Sequence, residues 1–280
     1  MATPVPGPRS SRIVAARRLR RPATRRERAL FLVEGPRAVS AGLAVGGIQE
    51  IFAGVGAADR DAALLSAAGS AGVPVHVVTD DAVASLSETV TPQGLVGVAE
   101  LPRHGLEVLA RARLVAVCVE TRDPGNAGTI IRTADAAGAD AVVFAGDCVD
   151  PFGGKCVRSS AGSVFHLPVV RGVSTEDVLA AARAAGCQCL ATAGAAPTGL
   201  DDLEAAGGLT RPTAWLFGNE AQGLPSAVVT AADTVVRVPV YGQAESLNLS
   251  VAAALCLYAS ARATRTGQSG AGGTGRGGRL

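Results

Sequence analysis

Three short stretches of this 280-residue chain combine glycine with uncharged or acidic hydrogen-bonding side chains. The first is Asn126-Ala-Gly128, with Arg132 one and a half turns further on; the second is Gly218-Asn219-Glu220; the third leads from Val238 to Ser246-Leu247-Asn248. Each follows an apolar run that reads as a strand. Glycine lets a ligand come close to backbone, and a few polar side chains can then fix its orientation. In an open parallel sheet ligands bind beyond the carboxyl ends of the strands, so three such loops on one edge would form one pocket. Each feature also has a plainer reading. Ser246 and Asn248 suit the cap of a helix that starts near Glu245. Arg132 stands among Ile130, Ile131, Ala134 and Ala136, and most arginines are simply solvated.

Several chemistries are excluded. Neither G-x-G-x-x-G nor G-x-x-x-x-G-K-[ST] occurs, which argues against a dinucleotide site or a P-loop. No histidine falls in the three stretches: His76 sits in an alternating strand, His104 in a connector, and His166 in or beside a strand. No Ser/His/Asp set is recognisable. Cys187-Gln-Cys189 lacks a second cysteine pair or histidine cluster, so no zinc site is expected and the six cysteines read as buried thiols.

The elements that must position these loops follow from periodicity and breakers. Residues 1–10 and 264–280 are rich in Gly, Pro, Ser and Thr and read as disordered tails. A basic segment over 11–28, expected to be helical, opens a small α/β domain spanning 11–102. Its strands are expected at Phe31–Gly35, Ile48–Gly54, Val73–Val78 and Gly94–Ala99. Its helices are expected at Pro36–Leu43, Asp59–Ala71 and Asp80–Ser87. Pro102 and Gly105 mark a linker over 103–112. From 113 to 263, strands at 113–120, 141–144, 164–168, 187–191, 213–218 and 235–240 alternate with helices. That pattern predicts a doubly wound parallel sheet. No apolar run is long enough to span a membrane and no signal-peptide core is seen, so a cytoplasmic protein is expected.

Charge is unevenly spread. Residues 1–28 carry nine arginines and one acid, a net of +8; the whole chain is +2, which leaves −6 for the rest. A basic arm without large apolar residues suits a polyanion, nucleic acid before membrane. Arg17, Arg18, Arg20, Arg21 and Arg25 of the arm are the candidate contacts, with Lys155, the only lysine, and Arg158 further along. The alternative for each is an ordinary solvated face.

Taken together, Asn126-Ala-Gly-Thr-Ile-Ile-Arg132-Thr-Ala-Asp-Ala-Ala-Gly138, Leu216-Phe-Gly-Asn-Glu220-Ala-Gln-Gly-Leu224 and Val238-Pro-Val-Tyr-Gly-Gln-Ala-Glu-Ser246-Leu-Asn248-Leu-Ser-Val-Ala resemble the three motifs of the SpoU (TrmH-like) family. This family belongs to the SPOUT class of RNA methyltransferases. Order and spacing agree over about 113–260, and residues around Phe31-Leu-Val-Glu-Gly35 resemble the small ribosomal-protein-like domain that precedes it in many members. The resemblance implies a deep trefoil knot in the C-terminal part of the sheet, one of the rare exceptions to unknotted folds. It implies S-adenosylmethionine bound by Leu216, Gly218, Asn219, Val238, Pro239 and Leu247, a homodimer, no metal, and methyl transfer to a ribose 2′-hydroxyl. Ribosomal RNA of the large subunit is the first candidate substrate. It further implies that Arg132 acts as base with a phosphate of the bound RNA, oriented by Asn126, Glu220, Ser246 and Asn248. A guanidinium with a pKa above about 12 is an awkward base. The other version has Arg132 clamp the phosphate bidentately while a phosphate oxygen or water takes the proton. The rival readings are a transfer-RNA methyltransferase, a non-catalytic RNA-binding or ribosome-assembly protein, and an oxidoreductase. The last would need a glycine-rich turn that Asp123-Pro124-Gly125 does not provide.

Overall fold

The computed structural model describes residues 5–269, with side chains to 265; of the tails expected to be disordered, 1–4 and 270–280 lie outside the described residues, whereas 264–269 are helical and Ser10 caps the first helix. The described residues gather into two compact units. One takes in residues up to 104 together with 122–132 and 148–169; the other takes in 105–121, 133–147 and the chain from 170.

The N-terminal hundred residues run α1 (Ser11–Arg18), α2 (Pro22–Arg28), β1 (Leu30–Glu34), α3 (Pro36–Ala44), β2 (Ile48–Gly54), α4 (Val55–Arg60), α5 (Ala62–Ser70), β3 (Val75–Val78), α6 (Asp80–Ala84) and β4 (Leu95–Glu100). The four strands form one mixed sheet in the order β1-β4-β2-β3, antiparallel except for the β2–β3 pair. The basic segment is two helices, because Pro22 cannot continue α1 and opens α2 instead. The helix expected over 59–71 is likewise two, broken at Asp61.

After a 3₁₀ turn (Leu106–Leu109) come β5 (Leu114–Val119), α7 (Pro124–Ala137), β6 (Ala141–Ala145), α8 (Gly154–Ser160), a second 3₁₀ turn (Ser163–Phe165) and β7 (Val169–Val173). Then follow α9 (Thr175–Ala184), β8 (Gln188–Thr192), β9 (Thr198–Gly199), α10 (Leu200–Ala205), β10 (Thr213–Phe217), α11 (Ser226–Ala231), β11 (Thr234–Arg237) and α12 (Leu249–Ser269). The seven strands are ordered β7-β6-β5-β10-β8-β11-β9, and the pairs from β6 to β9 are parallel. Strands β5, β6 and β10 are buried along their whole length, as the unbroken apolar runs predict for a sheet covered on both faces.

One expected strand is corrected. Residues 164–168 do not form a strand; Gly162 at φ +101° turns the chain into the 3₁₀ turn, and the strand begins only after Pro168. Phe165 instead packs beside Phe31, 5.7 Å between ring centroids, and Phe152 meets the same ring edge-on at 5.1 Å. Cys187 and Cys189, an i, i+2 pair, share the core under β8 with Val115, Val117 and Leu216. Burial raises both thiols, Cys189 to about 11, so they stay protonated core side chains. Among the described residues, no helix is long and apolar enough to cross a membrane, and no group of His, Cys, Asp or Glu is set to hold a metal ion.

Candidate active site

The first motif is a capped helix start. Asp123 Oδ1 accepts from Asn126 N–H at 2.8 Å, and Pro124 occupies the first helical position, where a missing N–H costs nothing. The Asn126 bond, with Lys155 3.2 Å from the other carboxylate oxygen, holds the Asp123 carboxyl below its usual value. Gly128 is required by packing: a Cβ there would lie 2.2 Å from Cys156 O, because α7 and α8 cross at this point. Asn126 is half-buried. Arg132 is exposed, and it makes no hydrogen bond or ion pair among the described residues, so its guanidinium is available to a ligand.

The second motif is a closed loop. Asn219 N donates to Gly223 O and Gly223 N donates to Asn219 O, both at 2.9 Å. Inside the loop Asn219 Oδ1 accepts from Ala221 N at 2.9 Å and Gln222 N at 3.1 Å, while its Nδ2 donates to Glu120 O at 2.9 Å. The side chain thus clips the loop after β10 to the end of β5. Gly218 is buried, and a Cβ on it would stand 2.3 Å from the Gly223 carbonyl carbon; Gly223 itself has φ +71°. Both positions need glycine. Leu216 is buried within β10, and Glu220 projects from the loop and is exposed.

The third motif is an open loop. Between the end of β11 at Arg237 and Asn248 the chain has no regular structure, and residues 240–246 are all exposed. Among the described residues, 238–247 make no backbone–backbone hydrogen bond. Val238, Pro239 and Leu247 are half-buried, whereas Ser246 is exposed and without a hydrogen bond among the described residues. The helix starts later than expected, at Leu249, and Asn248 is its cap: Oδ1 accepts from Ser250 N at 2.9 Å and from Ser250 Oγ at 2.7 Å. Ser246, two residues earlier, takes no part in the cap. Helix α12 is held against the sheet by Trp215, whose indole N–H donates to Ser260 Oγ at 2.9 Å.

Strands β10 and β11 run parallel, with β8 between them, so the second and third loops leave the same edge of the sheet roughly 10 Å apart. Sequence reasoning missed a residue at this edge. Thr121, two residues after β5, is fully buried, and its Oγ1 is the one buried side-chain polar atom without a partner among the described residues. Its neighbour Glu120 carries the Asn219 clip and a positive φ of +54°. Nothing in a Thr between Glu120 and Arg122 signals that.

These loops suit the cofactor that the motifs imply. S-adenosylmethionine offers an adenine edge, a ribose and an amino-acid end. A loop whose backbone N–H and C=O groups are uncommitted, beside one pinned shut by its own asparagine, supplies matching donors and acceptors on a rigid base.

The basic candidates divide. Arg18 and Arg21 are exposed, Arg17 is half-buried, and none of the three has a partner among the described residues. Arg20 is exposed and pairs with Glu88 at 3.4 Å, and exposed Lys155 pairs with Asp123. Arg25 is corrected: only 4% exposed, it donates to Asp150 Oδ2 at 2.7 Å and to the carbonyls of Leu19 and Arg20. That side chain ties the end of α1 to the 150s loop and cannot reach a phosphate. Arg158 is ion-paired to Glu34 at 2.9 Å.

Two family models match. The SpoU rRNA Methylase family model covers residues 113–258, and a model of the MRM3-like substrate binding domain covers residues 10–97. The 23S rRNA (guanosine(2553)-2′-O)-methyltransferase RlmP of Bacillus subtilis is 38% identical over 232 residues, 81% of this chain and 87% of its own length. RlmB of Nitrosomonas europaea, a 23S rRNA (guanosine-2′-O-)-methyltransferase, is 31% identical over 79% of this chain and 86% of its own. Among solved structures, the SpoU methyltransferase AviRb from Streptomyces viridochromogenes in complex with AdoMet superposes with a TM-score of 0.80. It is 30% identical, and the match covers 94% of this chain and all of that one.

Proposed function

The chain belongs to the SpoU rRNA methylase family of S-adenosylmethionine-dependent RNA 2′-O-methyltransferases, and from that premise we propose that it methylates one ribose 2′-hydroxyl in 23S ribosomal RNA. The observation that carries the reading is the pair of loops on one edge of the parallel sheet, the Asn219-clipped loop and the open 238–247 loop, each bearing a family motif. The α/β fold suits it, and the knot belongs to the proposal.

The cofactor supplies a methyl group already made electrophilic by its sulfonium. What remains for the protein is placement and a proton. Leu216, Gly218, Asn219, Val238, Pro239 and Leu247 would hold the donor through apolar contact and backbone groups. Placement of donor and acceptor in line is a proximity effect and can account for much of the barrier reduction. A neutral hydroxyl is a weak nucleophile, so its proton must leave as attack proceeds. Arg132, exposed and unpartnered among the described residues, would grip the phosphate next to the target ribose, and the proton would pass to that phosphate or to the guanidine itself. Asn126, Glu220, Ser246 and Asn248 would orient ribose and phosphate. Asn248 already commits its Oδ1 to the helix cap.

The arm, with Arg17, Arg18, Arg20 and Arg21, and Lys155 would lie along the RNA backbone; residues 11–102 would act as substrate-binding domain and 113–263 as the catalytic one. A homodimer is part of the reading: Val251, Leu255 and Tyr258, spaced i, i+4, i+7, leave an apolar stripe of α12 exposed. We place the protein in the cytoplasm with its RNA. Arg132→Ala tests the mechanism. It should abolish methyl transfer to 23S rRNA from a strain lacking the gene, while calorimetric titration shows S-adenosylmethionine affinity within about twofold. Turnover like wild type would remove Arg132 from the mechanism.

A further inference from the structure

The N-terminal unit carries a cleft of about 320 Å³ that none of the three motifs touches. Its lining comes from the β1–α3 turn (Glu34 to Ala38), the loop before β4 (Thr89, Thr91, Gln93) and α8 (Arg158, Ala161). The volume lies at the low end of what small-ligand sites enclose.

The lining divides into two parts. One wall is fully committed. Glu34 Oε1 accepts from Ser87 Oγ at 2.5 Å and Thr89 Oγ1 at 2.8 Å, while Oε2 accepts from Arg158 at 2.9 Å. This network fixes strand end, loop and helix to one another, as a preformed site requires. The opposite rim is uncommitted. The side chains of Arg37, Thr91 and Gln93 make no hydrogen bond or ion pair among the described residues. The Gln93 amide stands over Gly35, where a Cβ would lie 2.5 Å from its Oε1, and its backbone carbonyl is anchored by Arg60 at 2.6 Å. At the tip of the same loop Val90 is 99% exposed, the barest large apolar side chain among the described residues.

We propose that this cleft receives one unpaired nucleotide of the RNA, distinct from the methylated one, and so helps set which RNA is bound; the assignment rests on the RNA reading above. The rim offers what such a nucleotide needs. An amide that both donates and accepts, with a hydroxyl beside it, can read the Watson–Crick edge of a splayed base. An unpaired guanidinium takes the phosphate. Pro36 and Ala161, both in the lining, give the base an apolar surface to lie against. A double-stranded segment could not enter a recess of this size.

The test uses the full chain and, as probe, 23S rRNA from a strain lacking the gene, with binding followed by filter retention over a range of salt. Gln93→Ala and Thr91→Ala together should weaken binding roughly tenfold and leave the salt slope unchanged, because a base contact releases no counterion. Arg37→Ala should weaken it and flatten the slope by roughly 0.7 to 0.9, the value for one phosphate no longer neutralised. All three side chains are exposed, so the variants should fold, which circular dichroism checks. Binding within twofold of wild type in both variants overturns the cleft; so does an equal flattening of the slope in both, which is non-specific charge alone. Methyl transfer by the wild type is scored separately. If it is absent while the cleft variants still bind more weakly, the catalytic reading fails and the cleft stands.

Discussion

The two loops that leave β10 and β11 are built on opposite plans. Residues 218–223 form a closed ring: two reciprocal backbone bonds, an asparagine filling the inside, and a glycine where no side chain fits. Residues 238–247 are open, exposed over 240–246 and free of backbone bonds of their own among the described residues. The contrast teaches how a site can be rigid and receptive together. The closed loop sets position before any ligand arrives, and the open loop keeps the donors and acceptors that a ligand would satisfy.

Changes at the closed loop should therefore cost most. Gly218→Val places atoms inside the Gly223 backbone and should lower S-adenosylmethionine affinity more than 100-fold in a calorimetric titration; a near-normal affinity would mean that the ring is not part of the site. Asn219→Ala removes the clip to Glu120 and both internal bonds. It should weaken the cofactor by about tenfold, since each hydrogen bond contributes about 1 kcal/mol and two loop amides are left unpaired. In hydrogen exchange, saturating S-adenosylmethionine should slow amides 238–247 markedly and alter 219–223 little. Equal protection of both loops would erase the distinction.

The smallest effect concerns the turn before α7, closed in the same manner by Asp123. Its carboxyl titrates below 3.8 in the folded chain, so its contribution to stability is present above that value and lost as pH falls through the lowered pKa. Asp123→Asn should lower the melting temperature slightly at pH 7, and the gap should narrow below pH 3.8. A constant gap would mean that the charge is irrelevant to the cap.

Much of this was legible in the residues. The apolar runs of β5, β6 and β10 announce a buried parallel sheet, and the glycines and polar side chains after β5, β10 and β11 single out the loops proposed to hold the ligand. What failed to show depends on distant partners or on brevity. Arg25 looks like any arginine of a basic arm; its burial comes from Asp150, 125 residues away. Residues 164–168 look like a strand, but Gly162 and the ring of Phe31 turn them into a 3₁₀ corner. The short elements β9, α10 and α11, of two to six residues, carry too few apolar positions to show a period. Thr121 is inconspicuous in sequence because its orphaned hydroxyl is a property of its surroundings alone.

The central claim is transfer of a methyl group to a ribose oxygen of 23S rRNA. The most direct measurement is a map of ribose 2′-O-methylation across 23S, 16S and transfer RNA from cells with and without the gene, with purified protein then added back to the deficient RNA. The account predicts that one 23S position loses its methyl group and regains it on addition of protein and S-adenosylmethionine. An unchanged map, with no methyl transferred in the add-back, would contradict it.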